Sequence, residues 1–380
     1  MKHVVVIGAG NIGSTISALL ARTGDYSVTL TDRDADRLAQ LDRRVGVETL
    51  VLDVSDATAL RETLRGAYAV ISAAPYHLTA TIAEAARAQG VHYLDLTEDV
   101  ASTRKVKALA VDSPAAMIPQ CGLAPGFISI VAADLARDFD ELHDVRLRVG
   151  ALPKFPSNTL NYNLTWSTEG VINEYCEPCE AIVEGQLRHT RALEECESFA
   201  LDGVTYEAFN TSGGLGTLCE TLEGKARNVN YRTIRYPGHA AIMKTLLNDL
   251  RLRDRRGLLK DILESALPVT LQDVVIVFVT VSGMKMGRLM QETYAHRIYA
   301  TDIDGQPVSA IQITTASAAC AVLDLLAEGA LPRSGLVRQE EIVLRDFLAN
   351  RFGRVYAGLG PDDPYVEIEG SESAMMETVA

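Results

Sequence analysis

Short apolar runs and amphipathic stretches alternate along roughly the first 120 residues of the chain. The apolar runs are rich in β-branched residues, which is typical of strands buried on both faces of a sheet. The amphipathic stretches, at 11–24 and 78–90, have helical spacing, and the second ends at Gly90 as a C-terminal cap. The predicted strands cover residues 3–9, 26–32, 47–54, 68–74, 91–96 and 115–120. This alternation predicts an α/β fold with a doubly wound parallel sheet.

The pattern changes after Pro125 and Gly126. From there, β-rich runs are separated by turn signals rather than by helices, which predicts antiparallel strands in a second, α+β domain. The predicted strands are 144–152, 197–201, 204–209 and 273–283, with 292–313 as a hairpin that turns at Asp304 and Gly305. Residues 314–331 then form a helix with a face of small residues, which we expect to return to the first domain.

These patterns predict a discontinuous first domain. Residues 1–124 form the parallel-sheet domain, and a C-terminal helical segment at about 312–358 completes it, including an amphipathic helix at 338–352. Residues 125–311 form the second domain, which we expect to hold the substrate. The last twenty residues carry six acidic and no basic side chains, so 359–380 is predicted to be a solvated acidic tail.

Composition narrows the class of protein. A net charge of -14 argues against nucleic acid or an anionic membrane as partner, because both require clustered Lys and Arg. No apolar run is expected to be long enough to cross a bilayer, and the chain opens directly into a predicted strand. Six sparse cysteines favour a reducing cytoplasm. Cys176 and Cys179 have zinc-like spacing but lack further ligands nearby, so no metal is expected.

A glycine motif follows the first predicted strand and opens the first predicted helix. Gly8, Gly10 and Gly13 complete the pattern G-x-G-x-x-G, with Asn11 and Ile12 between the last two. In this context the first glycine makes a tight turn, the second admits a pyrophosphate and the third allows close helix packing. The motif predicts a Rossmann dinucleotide-binding site whose phosphates lie at the helix N-terminus.

Further cofactor contacts are expected where later strands end. Asp32 ends the second strand, where its carboxylate can bind the adenosine ribose hydroxyls and repel a 2′-phosphate. NAD is therefore favoured over NADP, although Arg33 is also able to receive a 2′-phosphate. The remaining candidates are Asp53 after the third strand and Ser72, Ala73, Ala74 and Pro75 after the fourth.

Three polar stretches can reach the nicotinamide end of such a cofactor. Asp95 and Glu98 follow the fifth strand, and either can serve in proton transfer or cap the next helix. Gly122 lies in the rigid turn that leaves the parallel sheet. Arg235 and His239 flank a Pro-Gly turn, where a guanidinium suits a carboxylate and a histidine can move a proton.

The motifs together resemble the saccharopine dehydrogenase-like family, and within it most closely the L-lysine 6-dehydrogenases. The matching pieces keep their order between residues 7 and 253 and read IGAGNIG, ISAAPY, CGLAPGF, NLTWSTEGVINEYCEPC, TSGGLGTLCETL, NYRTIRYPGH and LLNDLRL. In related saccharopine reductases an acid occupies the position of Ala124, and an Arg matching Arg235 binds a substrate carboxylate. The alanine favours the lysine 6-dehydrogenase pattern over the saccharopine pattern.

The resemblance implies NAD-dependent oxidative deamination of the ε-amino group of L-lysine, a small amino-acid substrate. Arg235 is then assigned to the substrate carboxylate, while His239, Glu98 and Asp95 are unranked candidates for proton transfer. Thr165 and Tyr175, within a shared motif, are candidates to line the pocket.

Two alternative functions remain open, and a homodimer is expected. A dehydrogenase or reductase of saccharopine or of a carboxylated polyamine is the alternative enzyme, with Arg227, Arg232 and Lys244 near enough in sequence to form a second cationic pocket. A non-catalytic NAD sensor is the alternative from another class. The long strand at 273–283 favours pairing between subunits in a homodimer.

Overall fold

The computed structural model describes residues 1–41, 46–303 and 305–357. Its strands are β1 (Lys2–Ile7), β2 (Tyr26–Asp32), β3 (Val47–Val51), β4 (Ala69–Ser72), β5 (His92–Asp95), β6 (Ala116–Ile118), β7 (Glu141–Pro153), β8 (Cys179–Val183), β9 (Gln186–Thr190), β10 (Glu197–Leu201), β11 (Val204–Asn210), β12 (Ala226–Arg235), β13 (Asp273–Lys285), β14 (Arg288–Tyr299), β15 (Thr301–Ile303), β16 (Gln306–Val308) and β17 (Gly335–Leu336). Its α-helices are α1 (Asn11–Arg22), α2 (Ala35–Gln40), α3 (Ala57–Leu64), α4 (Thr79–Gln89), α5 (Val100–Ala110), α6 (Phe127–Ala136), α7 (Thr168–Cys176), α8 (Leu218–Leu222), α9 (His239–Lys244), α10 (Arg256–Ala266), α11 (Ala310–Glu328) and α12 (Leu344–Ala349).

The first sheet confirms the predicted fold class. Its seven strands are parallel, in the order β17-β6-β5-β4-β1-β2-β3. Successive residues of β1 are buried on opposite faces, Val4 and Val6 in one core cluster and Val5 in another. Helices cover both faces, and this is why the strands read as continuous apolar runs instead of alternating ones. The C-terminal strand β17 joins this sheet beside β6.

The helix α11 is longer than predicted and starts earlier. Ser309 and Gln312 form a reciprocal capping box at its N-terminus, so the helix begins at Ala310, within the stretch predicted as the second arm of a hairpin. In length and composition it could span a membrane, contrary to the sequence expectation, but 83% of its most apolar window is buried in the protein. The small residues of α11 pack it against α1 in the core of the first sheet.

The second sheet is mixed, not purely antiparallel as predicted. Its main path is β10-β11-β12-β7-β13-β14, with β8 also paired to β12 and β9 to β8. The parallel contact joins β12 to β7, two strands that are far apart along the chain. The β8–β9 hairpin and the pairing of β12 with β7 were not predicted.

The predicted hairpin at 292–313 is wrong in its pairing. Strand β14 pairs along its length with β13, and the short pair of β15 and β16 forms a separate hairpin. Residue Asp304 of the predicted turn lies outside the described residues, as does the predicted acidic tail at 359–380. The amphipathic segment at 338–352 contains only the short helix α12, flanked by 3-10 turns.

A buried carboxylate fastens the C-terminal segment to the first sheet. Asp324 of α11 is 2% exposed and accepts hydrogen bonds from Tyr26 Oη (2.6 Å), Asn350 Nδ2 (2.9 Å) and Arg351 Nη2 (2.8 Å). Arg351 also pairs with Asp25, on the loop before β2. One side chain thereby joins α11, the loop after α12 and the start of β2.

We expect Asp324→Ala to lower the free energy of unfolding by about 3 kcal/mol, because it leaves a buried amide and phenol without their acceptor and removes one carboxylate from the half-buried guanidinium of Arg351. Urea unfolding followed by circular dichroism measures the change. Arg345→Ala is the control, because Arg345 is 86% exposed and pairs only with its neighbour Asp346, so its loss should cost less than about 1 kcal/mol. Equal effects of the two substitutions would contradict the structural role of Asp324.

Candidate active site

A cleft of about 900 Å³ lies between the two sheets. On one side, the turns that follow β1, β4, β5 and β6 reach it, which places it at the carboxyl edge of the parallel sheet, where ligands of such sheets bind. On the other side, Val149 and Ala151 of β7 and Tyr231, Thr233 and Arg235 of β12 line it. These are alternate residues, so each strand presents one face to the cleft.

The glycine motif has the geometry that its sequence predicts for a dinucleotide loop. Gly8 has φ +105°, and a Cβ there would approach Ala73 O to 2.6 Å. A Cβ on Gly13 would overlap the carbonyl oxygen of Gly8. A Cβ on Gly10, by contrast, would have Arg37 Nη1 as its nearest neighbour, at 4.0 Å, so the backbone is open towards the cleft. Gly10 is also the N-cap of α1 and supplies no capping side chain, which leaves the helix N–H groups free for a pyrophosphate.

The cofactor candidates divide into those at the cleft and those away from it. The predicted residues that line it are Gly8, Gly10, Asn11, Ile12, Gly13, Asp32, Ala73, Ala74 and Pro75. Asp32 Oδ2 accepts a hydrogen bond from Ala9 N at 2.8 Å, which fixes the carboxylate beside the glycine loop.

Three cofactor candidates lie outside the lining. Ser72 is buried at the end of β4. Arg33 is exposed, and its charge helps to lower the pKa of Asp53, after the hydrogen bonds of that carboxyl to Ser55. Arg37, in the first turn of α2, is the cation that lines the cleft near the glycine loop. Sequence spacing pointed to Arg33 because it follows Asp32 directly, but the N-terminal turn of α2 directs Arg37 to the cleft instead.

Arg235 is a buried guanidinium at the cleft. It ends β12, is 3% exposed, and stacks 5.1 Å above the ring centroid of Tyr162. Its Nη1 donates to Ile234 O (2.9 Å) and its Nε donates to the hydroxyl of Tyr175 (3.1 Å). Within the described ranges no carboxylate oxygen lies within 4.0 Å of this guanidinium, whereas an anion entering the cleft can reach it.

His239 and Tyr175 lie behind Arg235 and do not line the cleft. His239 is 1% exposed, its Nδ1 contacts Leu160 O (3.1 Å), and its Nε2 contacts the Tyr175 hydroxyl (3.0 Å). Burial, together with the charge of Arg235, lowers the pKa of His239 to about 3. A neutral imidazole with both nitrogens engaged is poorly suited to take a proton from a substrate, and the structure does not bring the predicted candidates His239 and Tyr175 to the cleft surface.

The carboxyl groups of Glu98 and Glu174 lie in the same cleft as Arg235, and the part of the cleft that contains these three residues is called the substrate end below. Glu98 follows β5, and burial raises its pKa to about 7, with smaller contributions from neighbouring acids. Glu174, on α7, is 6% exposed. Burial and the charge of Glu98 raise the pKa of Glu174 to about 8, while Arg235 acts in the opposite direction. Near neutral pH both carboxyl groups are therefore partly protonated.

Asp95, by contrast, holds the turn together. Its Oδ1 accepts from Gln120 N (2.9 Å) and Thr97 N (3.0 Å), which fastens the end of β5 to the turn after β6. Burial raises the pKa of Asp95 to about 6, but its side chain does not line the cleft. The predicted role in proton transfer is therefore replaced by a structural one.

The remaining pocket candidates do line the cleft. Gly122 reaches it from the turn after β6, and Thr165 lies beside the single tryptophan, Trp166. The glycine-rich loop at 211–217 packs against the backbone of the two acidic residues: Ser212 N donates to the backbone carbonyl oxygen of Glu174 (3.0 Å), and a Cβ on Gly213 would overlap the backbone carbonyl oxygen of Glu98.

Glu174 is the functional residue that the sequence analysis missed. It lies in the shared motif that also contains Thr165 and Tyr175, on a short helix whose residues are all buried except Glu169. An acidic residue on such a helix was the available signal, because ionisable side chains are rarely buried without a partner or a function.

Solved structures share this fold. The apo saccharopine dehydrogenase (L-Glu forming) from Saccharomyces cerevisiae superposes with a TM-score of 0.75 at 16% identity, over 92% of this chain and 97% of that one. At that identity the likeness establishes the architecture alone.

Curated relatives are distant in sequence. The saccharopine dehydrogenase [NADP(+), L-glutamate-forming] of Saccharomyces cerevisiae is 23% identical over 268 residues, which are 67% of this chain and 59% of the yeast protein. The mitochondrial alpha-aminoadipic semialdehyde synthase of Mus musculus is 23% identical over 193 residues, 49% of this chain and 21% of the mouse protein. The chain thus spans only part of each of these relatives.

Family models cover almost all of the described chain. The saccharopine dehydrogenase NADP binding domain matches residues 4–117, and the saccharopine dehydrogenase C-terminal domain matches residues 122–355. The first match contains the glycine loop, Asp32 and Glu98, and the second contains Glu174 and Arg235. This chain therefore belongs to the saccharopine dehydrogenase family of NAD(P)-binding oxidoreductases.

Proposed function

We propose that the protein catalyses the NAD-dependent oxidative deamination of the ε-amino group of L-lysine. The observation that carries the proposal is the buried Arg235 guanidinium, which has no carboxylate partner among the described residues and shares its cleft with two acids and a dinucleotide loop. A substrate with a single carboxylate and two amines matches this set of one cation and two acids. The matches to family members that act on saccharopine, according to their names, support a substrate of the same chemical kind.

The electrostatics suggest how lysine lies in the cleft. The charges of Glu98 and Arg235 both act on the pKa of Glu174, so Glu174 is close enough to interact with each of them. With the α-carboxylate on Arg235, the α-ammonium reaches Glu174, and the side chain extends towards Glu98. Glu98 follows β5 at the same sheet edge as the glycine loop, so the ε-carbon is directed to the cofactor end.

The residues at the glycine loop fit a dinucleotide. Gly10 and the N-terminus of α1 would hold the pyrophosphate, and Asp32 would accept hydrogen bonds from the adenosine ribose, which favours NAD. Arg37, which lines the same end of the cleft, is the residue that would bind the 2′-phosphate if NADP were the cofactor. A dinucleotide held there would supply the acceptor for a hydride from the ε-carbon.

The chain itself must move protons. A free lysine amine has a pKa of roughly 10.4, so it arrives charged and must lose a proton before a hydride can leave. Ionised Glu98 accepts that proton, and its pKa of about 7 keeps it ionised at mildly alkaline pH yet able to return the proton. Loss of the hydride leaves a protonated imine on lysine, and water adds to its carbon to release ammonia and the 6-semialdehyde, which cyclises.

Saccharopine is the second candidate, favoured by the names of the yeast relatives. It carries three carboxylates and needs additional cations. The three residues considered for that role are all paired elsewhere: Arg227 with Glu184, Arg232 with Glu195 and Glu197, and Lys244 with Glu194. None of the three lines the cleft, and the lining cation Lys260 already faces Glu169 at 3.8 Å. A non-catalytic sensor is disfavoured too, because it has no need of ionisable groups gathered at the substrate end.

The first test is the absorbance of reduced nicotinamide at mildly alkaline pH. We expect L-lysine with NAD to give reduction and an equal amount of ammonia, and L-lysine with NADP to react more weakly because of Asp32. Saccharopine is assayed in parallel with both cofactors. Turnover of saccharopine without turnover of lysine would contradict the proposal.

Arg235→Ala should lower kcat/KM for L-lysine about 30-fold or more, mainly through KM, because it removes the only buried cation found at the substrate end among the described residues. The dissociation constant for NAD should be unchanged. Arg227→Ala is the control, because Arg227 pairs with Glu184 on the surface and should leave both values unaltered. A loss confined to NAD binding would place Arg235 at the wrong end of the cleft.

Glu98→Gln should lower kcat for L-lysine about 100-fold or more, since it removes the proton acceptor without changing its shape. In the wild type, kcat/KM should rise with pH through about 7, where Glu98 ionises, and this rise should vanish in the variant. Glu174→Gln should instead raise KM and keep the rise. If the rise of kcat/KM with pH instead persisted in Glu98→Gln and vanished in Glu174→Gln, Glu174 would be the proton acceptor and Glu98 the binding group.

A further inference from the structure

We propose that Tyr175 and His239 are positioning residues: a directed chain of hydrogen bonds runs from Arg235 through both of them and fixes the guanidinium for the substrate carboxylate. The distances are 3.1 Å from Arg235 Nε to Tyr175 Oη, 3.0 Å from there to His239 Nε2, and 3.1 Å from His239 Nδ1 to Leu160 O. The inference rests on the proposed function for the identity of the carboxylate.

The chemistry of the groups fixes the direction of the chain. The Leu160 carbonyl can only accept, so His239 Nδ1 carries the proton and donates to it. His239 Nε2 then has only a lone pair, so it must accept from the Tyr175 hydroxyl. With its proton committed to His239, the Tyr175 oxygen turns a lone pair towards Arg235 Nε, which always donates. The backbone carbonyl therefore determines which way the phenol faces.

A phenol suits this position better than a carboxylate. An acid beside Arg235 would hold the guanidinium equally well but would neutralise its charge and compete with the substrate carboxylate. Tyr175 accepts the Nε–H without carrying a charge, because burial keeps its pKa well above the usual value. Arg235 is thus oriented while its attraction for an anion is retained.

The surroundings of His239 hold it in one orientation. Its ring lies parallel to that of Phe209 (interplanar angle 10°) and edge-on to the rings of Tyr162 (69°) and Tyr175 (81°). Tyr162 also carries the Arg235 guanidinium on its face, so the same aromatic group supports both ends of the chain. The geometry leaves His239 no route to the cleft, which separates positioning from direct contact.

Tyr175→Phe should raise KM for L-lysine about 10- to 100-fold with kcat changed less than about threefold, since the lost bond involves a charged donor. His239→Asn should act in the same direction: it can keep the donor to Leu160 O but removes the acceptor for the phenol. Because both substitutions break one chain, the double variant should be no worse than the poorer single variant. A merely structural role would lower kcat, NAD affinity and stability together.

Tyr236→Phe is the matched control. Tyr236 is the neighbour of Arg235, and its hydroxyl donates a single hydrogen bond to Pro153 O (3.0 Å) outside the cleft lining. Loss of that bond should leave KM for L-lysine within twofold of the wild type. Should His239→Asn fail to fold, the comparison of Tyr175→Phe with Tyr236→Phe decides the matter alone.

A binding measurement without turnover separates this inference from the proposed function. Trp166 is the single tryptophan and lines the cleft, so its fluorescence can follow titration with L-norleucine, which has the α-carboxylate but no ε-amine. Weaker norleucine binding by Tyr175→Phe, with unchanged NAD binding, supports the inference. If lysine is then not oxidised by the wild type, the inference stands and the proposed function fails. Unchanged KM and norleucine affinity in Tyr175→Phe overturn the inference, and a wild type that binds neither amino acid overturns both.

Discussion

The site depends on a guanidinium that is buried with no carboxylate partner among the residues that the structure describes. Desolvation of such a group is costly, and here it is offset by a backbone carbonyl, a phenol oxygen and the face of an aromatic ring around Arg235. None of these neutralises the charge. The remaining electrostatic demand is met best by an anion from the cleft, so the cost of burial becomes selectivity for a carboxylate. The surrounding aromatic residues follow from the need to hold this cation dry and in one orientation.

The second sheet holds Arg235 rigidly at the cleft. Strand β12 lies inside the sheet, between β11 and β7, so its alternate side chains enter the cleft from a rigid wall. It ends at Arg235, and the chain turns through Gly238 at φ +98° into α9. Glu207 on β11 fixes this turn, with Oε2 accepting from Gly238 N (2.9 Å) and Oε1 from Ala240 N (2.7 Å). The turn brings His239 back behind the guanidinium, where it contacts Tyr175.

Features of the fold that depend only on neighbouring residues could be predicted from the sequence. The parallel sheet and the glycine loop could be predicted because each needs only apolar runs and the steric demands of Gly8 and Gly13. Arg235 was found because it is a cation beside a Pro-Gly turn. Pairing across the second sheet was not predictable in this way: β12 meets β7 across about 80 residues, and β14 leaves its predicted hairpin for β13. Whether His239 or Glu174 faces the cleft depends on that long-range packing, and an isolated motif does not contain it.

The same packing argues for a substrate with one carboxylate. The chain has a net charge of -14, and its arginines near the second domain are largely committed to acids: Arg148 and Arg232 both meet Glu197. Such pairs lose most of their attraction for further anions. A ligand with several carboxylates would meet one uncommitted buried cation and then the acids Glu98 and Glu174, whose pKa values are raised mainly by burial and further by the charges of neighbouring acids. When ionised, these two acids give that end of the cleft an excess of negative charge. An amine at the far end of the ligand relieves that excess, so a single carboxylate followed by amines is the charge sequence that the cleft favours from Arg235 to Glu98.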